Sequence, residues 1–235
     1  MMYSEIKPSF QLQNIIDCYW EFTDINFNIS SSTKVIPDNR ADFLFIKKSQ
    51  SLSLCGSMTD YIVSSKKEIF GIRFRPEFLF GLIKIPLSEF TDKIIDADLL
   101  YKDSTALKSI MASSTNLKSL TIGLDKYFLN RVQDIKMNEL VYETARLIEK
   151  GSKLKEIKLK IGISNQHLGR LFHKHIGLSP KKFEKIARFQ RMKNSLNVAD
   201  NNFSDLAVKF GYYDQSHLIN ECNEITGSTP YQFFY

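Results

Sequence analysis

Cysteine is scarce in this chain. Its 235 residues hold 3, at Cys18, Cys55 and Cys222, and no two stand in a CxxC spacing. A set so sparse and odd excludes a disulfide framework or a zinc ribbon and fits reduced thiols in a cytosol. Long apolar runs are missing too; none approaches the ~20 residues of a membrane span. The opening Met1-Met2-Tyr3-Ser4-Glu5 has no basic segment followed by an apolar one, so a signal peptide is not expected. The expectation is a soluble, cytoplasmic protein with no membrane partner. Catalytic motifs are equally absent: there is no GxGxxG, P-loop, HExxH or GxSxG. Among the 4 His, His173 and His175 stand two apart on a helical stretch and point to different faces, so they form no metal pair. No enzyme, cofactor or metal site is expected.

Net charge is missing from residues 1–135, where 16 Lys+Arg face 16 Asp+Glu. The whole excess of +6 lies in 136–235, which carry 16 against 10. Within them, 146–193 holds 14 basic and 3 acidic residues, while 194–235 holds 1 and 5. So basic a segment is a candidate phosphate footprint, because each Lys or Arg near a phosphate releases condensed counterions. A solvated helical face is the alternative.

What is present is an ordinary globular composition, 43% hydrophobic and 25% charged. Residues 3–100 alternate short apolar runs with turn signals. Cys18–Phe22, Asp42–Ile46 and Glu68–Phe74 are aromatic and β-branched and read as strands. Pro37-Asp38-Asn39-Arg40 reads as a turn, and Pro76 opens a short helix through Ile83. From 103 to 133 the spacing is helical, with Leu117, Leu120, Leu124, Phe128 and Val132 on one face. That face either pairs two chains or docks on its own domain. A boundary near 134–136 separates an α+β domain, 1–135, from an all-α domain, 136–235.

The second half is a run of capped helices. One, with Leu140, Val141, Ala145 and Ile148 inward, stops at Gly151. Ser152 caps the next, about 153–161. Ser164 caps a helix of about 164–176, and Ser179-Pro180 begins a longer one to about Asn197. The cycle then repeats: a helix of about 203–210, a turn at Gly211, a cap at Asp214, a helix to Thr226, and a restart at Thr229-Pro230. His167-Leu168 matches His217-Leu218, Gly177-Leu178-Ser179-Pro180 matches Gly227-Ser228-Thr229-Pro230, and Phe183 matches Phe233. Each unit is a short helix, a glycine turn and a capped helix, which is a helix-turn-helix. Leu154, Ile157 and Ile161 are expected to pack on Leu168, Leu171 and Phe172. Phe203, Leu206, Ala207 and Phe210 are expected to pack on Leu218, Cys222 and Ile225. A plain helical bundle is the alternative; two units in tandem favour DNA binding.

The stretch Ile163-Ser164-Asn165-Gln166-His167-Leu168-Gly169-Arg170-Leu171-Phe172, with Gly177-Leu178-Ser179-Pro180, resembles the first helix-turn-helix of the AraC/XylS family of bacterial transcription regulators. Residues Asp205–Leu218 and Thr226–Phe233 resemble that family's signature more closely still. The resemblance covers about 137–235. Pro37–Asp42, Cys55-Gly56-Ser57 and Gly71–Pro76 are similar to a domain often fused to this module, a sensor or dimerisation domain. The resemblance implies two units joined by the helix of about 180–197, each placing its second helix in the major groove of double-stranded DNA. Eighteen residues make about 27 Å of helix. With the flanking units, that reaches the ~34 Å between successive major grooves. It also implies activation rather than repression, with RNA polymerase as a candidate partner and a homodimer as a candidate assembly.

In the first unit, Arg170 suits guanine and Asn165 or Gln166 suits adenine. Gly169 departs from the polar residue usual in the family. Lys174, Lys181 and Lys182 are candidate phosphate contacts. In the second unit Ser216 and Asn220 are the candidate base readers. Asn220, Glu221, Asn223 and Glu224 stand where the family carries basic residues, so weaker binding by this helix is expected. Lys158 replaces a small alanine usual in the first unit; Ala207 keeps it in the second. In the N-terminal domain, Arg40, Arg73 and Arg75 are candidates for an anionic effector of unknown identity, with pairing to Asp38, Asp42 or Glu77 as the alternative. Trp20, Phe22, Phe43 and Phe45 line either a pocket or the core. Two rivals stand beside the regulator: an interaction protein that reads no DNA, and an enzyme built on the N-terminal domain.

Overall fold

The computed structural model describes residues 2–23, 33–64, 68–196 and 202–234. Eight strands come first: β1 (Met2–Ile6), β2 (Ile16–Thr23), β3 (Thr33–Val35), β4 (Ala41–Ile46), β5 (Ser51–Cys55), β6 (Ile62–Ser64), β7 (Ile69–Phe74) and β8 (Ile94–Asp96). Helix α1 (Pro76–Ile83) lies between β7 and β8, and α2 (Ser104–Ser113) and α3 (Leu117–Leu129) follow. Then come α4 (Glu139–Glu149), α5 (Leu154–Ile161), α6 (Asn165–His175), α7 (Pro180–Ser195), α8 (Phe203–Phe210), α9 (Gln215–Thr226) and α10 (Pro230–Phe234). The α+β then all-α order expected from the sequence is the observed one.

Six strands form one antiparallel sheet in the order β1-β2-β7-β4-β5-β8, and β3 pairs with β6. Side chains alternate across a strand. Phe43 and Phe45 of β4, Leu52 and Leu54 of β5, and Phe70, Ile72 and Phe74 of β7 therefore share the covered face. Leu79 of α1, Leu107 and Met111 of α2 and Leu120, Leu124 and Phe128 of α3 close over them. The Leu117 to Phe128 stripe is thus spent on its own core and is not free to pair two chains. Phe43 and Phe45 are core as well. Trp20 lies across the site of the Cβ that Gly71 lacks and donates to Asp42 Oδ1 at 2.8 Å.

Two further cores follow. Val141, Ala145, Ile148, Leu154, Ile157, Leu168, Phe172, Phe183 and Ile186 form one; Phe189, Met192, Leu206, Ala207, Leu218, Cys222 and Ile225 form the other. Helix α7 supplies residues to both, so the two units share one spine. Burying each of Leu168, Phe172 and Ile176 contributes about 1.5–3 kcal/mol. Ile161 departs from expectation: it is 40% exposed and outside the core. Ser152 does not cap α5 either. Glu184 of α7 accepts the Leu154 N–H instead, at 2.6 Å. Helix α7 ends at Ser195, and Asn197, its expected end, lies outside the described residues.

Candidate nucleic-acid interface

Ser164 starts α6 by accepting the His167 N–H at 3.2 Å, and Asp214 starts α9 by accepting the His217 N–H at 2.7 Å. These caps satisfy N–H groups that the first turn of a helix leaves free. They also fix which side chains stand at each N-terminal end. On α6, Asn165, Gln166 and Arg170 are exposed while Leu168 and Phe172 point inward. Among the described residues Gln166 and Arg170 have no hydrogen-bond or ion-pair partner. Asn165 is engaged: its Oδ1 accepts from Lys158, whose stem runs outward from the position where the family carries alanine. On α9, Ser216 and Asn220 are exposed and without side-chain partners among the described residues. Gln215 accepts from Ser204 at 2.9 Å.

The acidic residues of α9 do not stand bare. Glu221 is 2% exposed and accepts from Arg188 of α7 at 3.1 and 2.6 Å. Glu224 accepts from Lys182, at 3.1 Å, and from Lys185. Those two lysine bonds hold its carboxyl below the usual carboxylate range. Lys182, Lys185 and Arg188 lie three apart on one stripe of α7, and Glu221 and Glu224 lie three apart on the facing stripe of α9. The expected repulsion between these carboxylates and phosphates is therefore reduced. Both charges are matched inside the protein.

The candidate phosphate contacts divide three ways. Lys181 is exposed and has no partner among the described residues. Lys182 is held by Glu224. Lys174 is exposed and sits over the Phe80 ring of α1, 5.2 Å from its centroid. Beside it, His175 is buried against the same ring, and burial pulls its pKa down.

The sheet domain holds the opposite ends of α6 and α9. Ser57 donates to the Ile176 carbonyl and Thr91 to the Gly177 carbonyl, both at 2.7 Å. Gly177 has φ of +86°, and a Cβ there would stand 2.9 Å from the Leu87 carbonyl oxygen. The equivalent turn of the second unit is held too. Lys34 donates to the Thr226 carbonyl at 2.6 Å, and the Tyr61 ring occupies the space beside Gly227. Buried Asn39 donates to the Phe183 carbonyl at 2.9 Å, at the start of α7. Both units are thus gripped where their second helices end, and the helix N-termini stay exposed.

Residues 159–234 match a family model described as a helix-turn-helix domain, and residues 4–96 match one described as a domain of unknown function, DUF6597. The C-terminal part of the chain is a helix-turn-helix domain. Two uncharacterised HTH-type transcriptional regulators of Staphylococcus aureus, one of them from strain MSSA476, are 22% and 21% identical over 215 residues. The matches cover 78% of this chain and 29% of each relative, so the chain spans less than a third of their length. Two solved structures of ToxT from Vibrio cholerae show a distant likeness, with TM-scores of 0.47 and 0.45 at 12% and 10% identity. They cover 92% and 100% of this chain, and 96% and 98% of theirs.

Each effector candidate faces carboxylates, and Arg40 and Arg75 share Asp17 and Glu149. Ahead of the helix-turn-helix domain, Arg73 pairs with Asp42 at 3.3 Å and Asp38 at 3.5 Å. Arg40 pairs with Asp17 and with Glu149 of α4, each at 2.6 Å. A bulge between Ile16 and Cys18 shifts the register of β2 around Asp17. Arg75 is held more loosely, 3.3 Å from Glu149 and 3.6 Å from Asp17, and it lines a cavity. Pairing with Asp38 and Asp42 was legible in the sequence. The role of Glu149, more than a hundred residues from Arg40, had no local signal.

Proposed function

We propose that the chain is a sequence-specific DNA-binding transcription regulator whose α6 and α9 read adjacent major grooves. On this reading Arg170, Gln166 and Asn165 contact bases from α6, and Ser216 and Asn220 do so from α9. Lys181 and Lys174 contact phosphates; Lys182 does so only when it leaves Glu224. Residues 136–235 carry the DNA-binding function, and residues 1–135 serve as the sensor or dimerisation part. On family resemblance, the direction of control is activation, through RNA polymerase, in the cytoplasm.

One observation carries the reading. The two capped helix ends with unpartnered polar side chains belong to one body, tied by α7 and held from behind by the sheet domain. Helix α7 has 16 residues, about 24 Å of helix. The flanking units bring this to the ~34 Å between successive major grooves.

The test is fluorescence anisotropy with a selected duplex and a scrambled one, at about 50 and 200 mM salt. A steep salt slope with preference for the selected duplex is expected. Arg170→Ala should cost about 1–3 kcal/mol of specific binding, and Asn220→Ala less, because only Arg170 brings a charged bidentate donor to a base edge. A flat salt response without preference would favour the interaction-protein reading.

A further inference from the structure

A cavity of about 440 Å³ opens at the seam between the sheet domain and α4, lined by Asn14, Arg75, Tyr142, Arg146, Glu149 and Lys150. That volume lies in the range of small-molecule sites, ~300–1,000 Å³. Tyr142 and Arg146 of α4 and Lys150, the residue that ends it in helical conformation, follow one another at i, i+4 spacing and so share one face. The other face of α4, with Val141, Ala145 and Ile148, is buried in the core of the first unit. Asn14 and Arg75 come from the sheet domain. The site is therefore built from both sides of the seam.

Its charge is unbalanced. Three cations line it against one carboxylate, and that carboxylate, Glu149, is already bound by Arg40 at 2.6 Å. The cations have few protein partners among the described residues. Arg75 lies 3.3 Å from Glu149 and 3.6 Å from Asp17, and its buried Nε has no hydrogen-bond acceptor. Arg146 and Lys150 are exposed; among the described residues Arg146 pairs with Glu143 alone, at 3.6 Å, and Lys150 has no side-chain partner. The Tyr142 ring packs edge-on against Phe78, which gives the cavity an aromatic wall. Its hydroxyl has no partner among the described residues.

We infer that this seam cavity binds a small organic dianion, a di- or tricarboxylate or a phosphate monoester, through Arg75, Arg146 and Lys150. Guanidinium groups such as those of half-buried Arg75 and exposed Arg146 favour carboxylate and phosphate oxygens, which they bind in paired, charge-assisted bonds. The aromatic wall and the volume suit an organic body rather than a bare ion. A ligand there touches the sheet domain and α4 together. The site stands or falls without the DNA-binding reading.

The test is isothermal titration calorimetry of the full chain without DNA, at constant ionic strength, with citrate and with glucose 6-phosphate as probes. Inorganic phosphate is the control. Saturable binding of at least one probe is expected, tighter than that of inorganic phosphate. The probe that binds more tightly assigns the carboxylate or the phosphate class. The double substitution Arg146→Gln and Lys150→Gln lies at exposed or half-exposed positions and spares the core. It should weaken binding about tenfold or more. A circular dichroism melt checks that the variant is folded. No saturable heat with either probe overturns the proposal. So does binding no tighter than that of inorganic phosphate, or undiminished binding by the folded double variant.

Discussion

Arg188 holds Glu221 by two hydrogen bonds, Nε to Oε1 at 3.1 Å and Nη2 to Oε2 at 2.6 Å. The carboxylate side chain is 2% exposed and the guanidinium 19%. The guanidinium also lies 4.8 Å from the centroid of the Tyr212 ring. One end of this pair is on the spine shared by both units and the other is on α9. The pair therefore fixes how the second unit sits on the spine.

Removing the two partners should have unequal costs. Arg188→Ala leaves a buried carboxylate with only His217 Nε2 near it, at 3.5 Å, among the described residues, which costs up to about 3–5 kcal/mol. Glu221→Ala leaves an arginine that still reaches water and the Tyr212 ring, so its cost should be smaller. Urea unfolding of the two variants and of the double variant measures this. Equal losses from the two single variants would contradict the asymmetry.

The lysines of α7 should separate in a salt titration of DNA binding. Lys181→Ala should lower the slope of log affinity against log salt by about 1, because Lys181 is free to meet a phosphate. Lys182→Ala should lower it less, since Glu224 already holds Lys182. Glu224→Gln releases Lys182 and Lys185, so its slope should steepen and its low-salt affinity rise. An unchanged slope in Glu224→Gln would mean that these pairs do not compete with phosphate.

Gly177 and Gly162 make a matched comparison of docking. Both have positive φ, +86° and +68°, but a Cβ at Gly177 meets Leu87 and Thr91, while one at Gly162 meets nothing within 4 Å. Gly162→Ala should cost about 1–2 kcal/mol from the left-handed backbone alone. Gly177→Ala should cost that and more, because its Cβ pushes on the sheet domain. Equal losses in thermal or urea unfolding would show that the turn at Gly177 is not gripped in solution.

The helices of the second half were legible because their punctuation is local. Ser164, Ser179 and Asp214 all accept the capping bonds their positions imply, and Gly211 and Gly227 stop α8 and α9 with positive φ. Ser152 failed for a tertiary reason: Glu184 from another helix supplies the cap. In the first half, Leu52 and Leu54 alternate with Ser51, Ser53 and Cys55, a period-two signal for β5. Strand β1 gave no such signal, because as an edge strand it is exposed along its whole length. The exposed ends of α6 and α9 follow from helical period, so Arg170 and Asn220 were found. The partners of Glu221, Glu224 and Arg40 lie tens to more than a hundred residues away, and residue spacing carries no record of them.

The central claim is that one chain reads two adjacent grooves with α6 and α9. Selection of bound sequences from random duplex DNA with the purified chain, at two salt concentrations, tests it most directly. The account predicts a two-part motif with its halves about one helical turn, ~10 base pairs, apart, and loss of one half in Arg170→Ala. A single short motif, or no enrichment at either salt concentration, would contradict it.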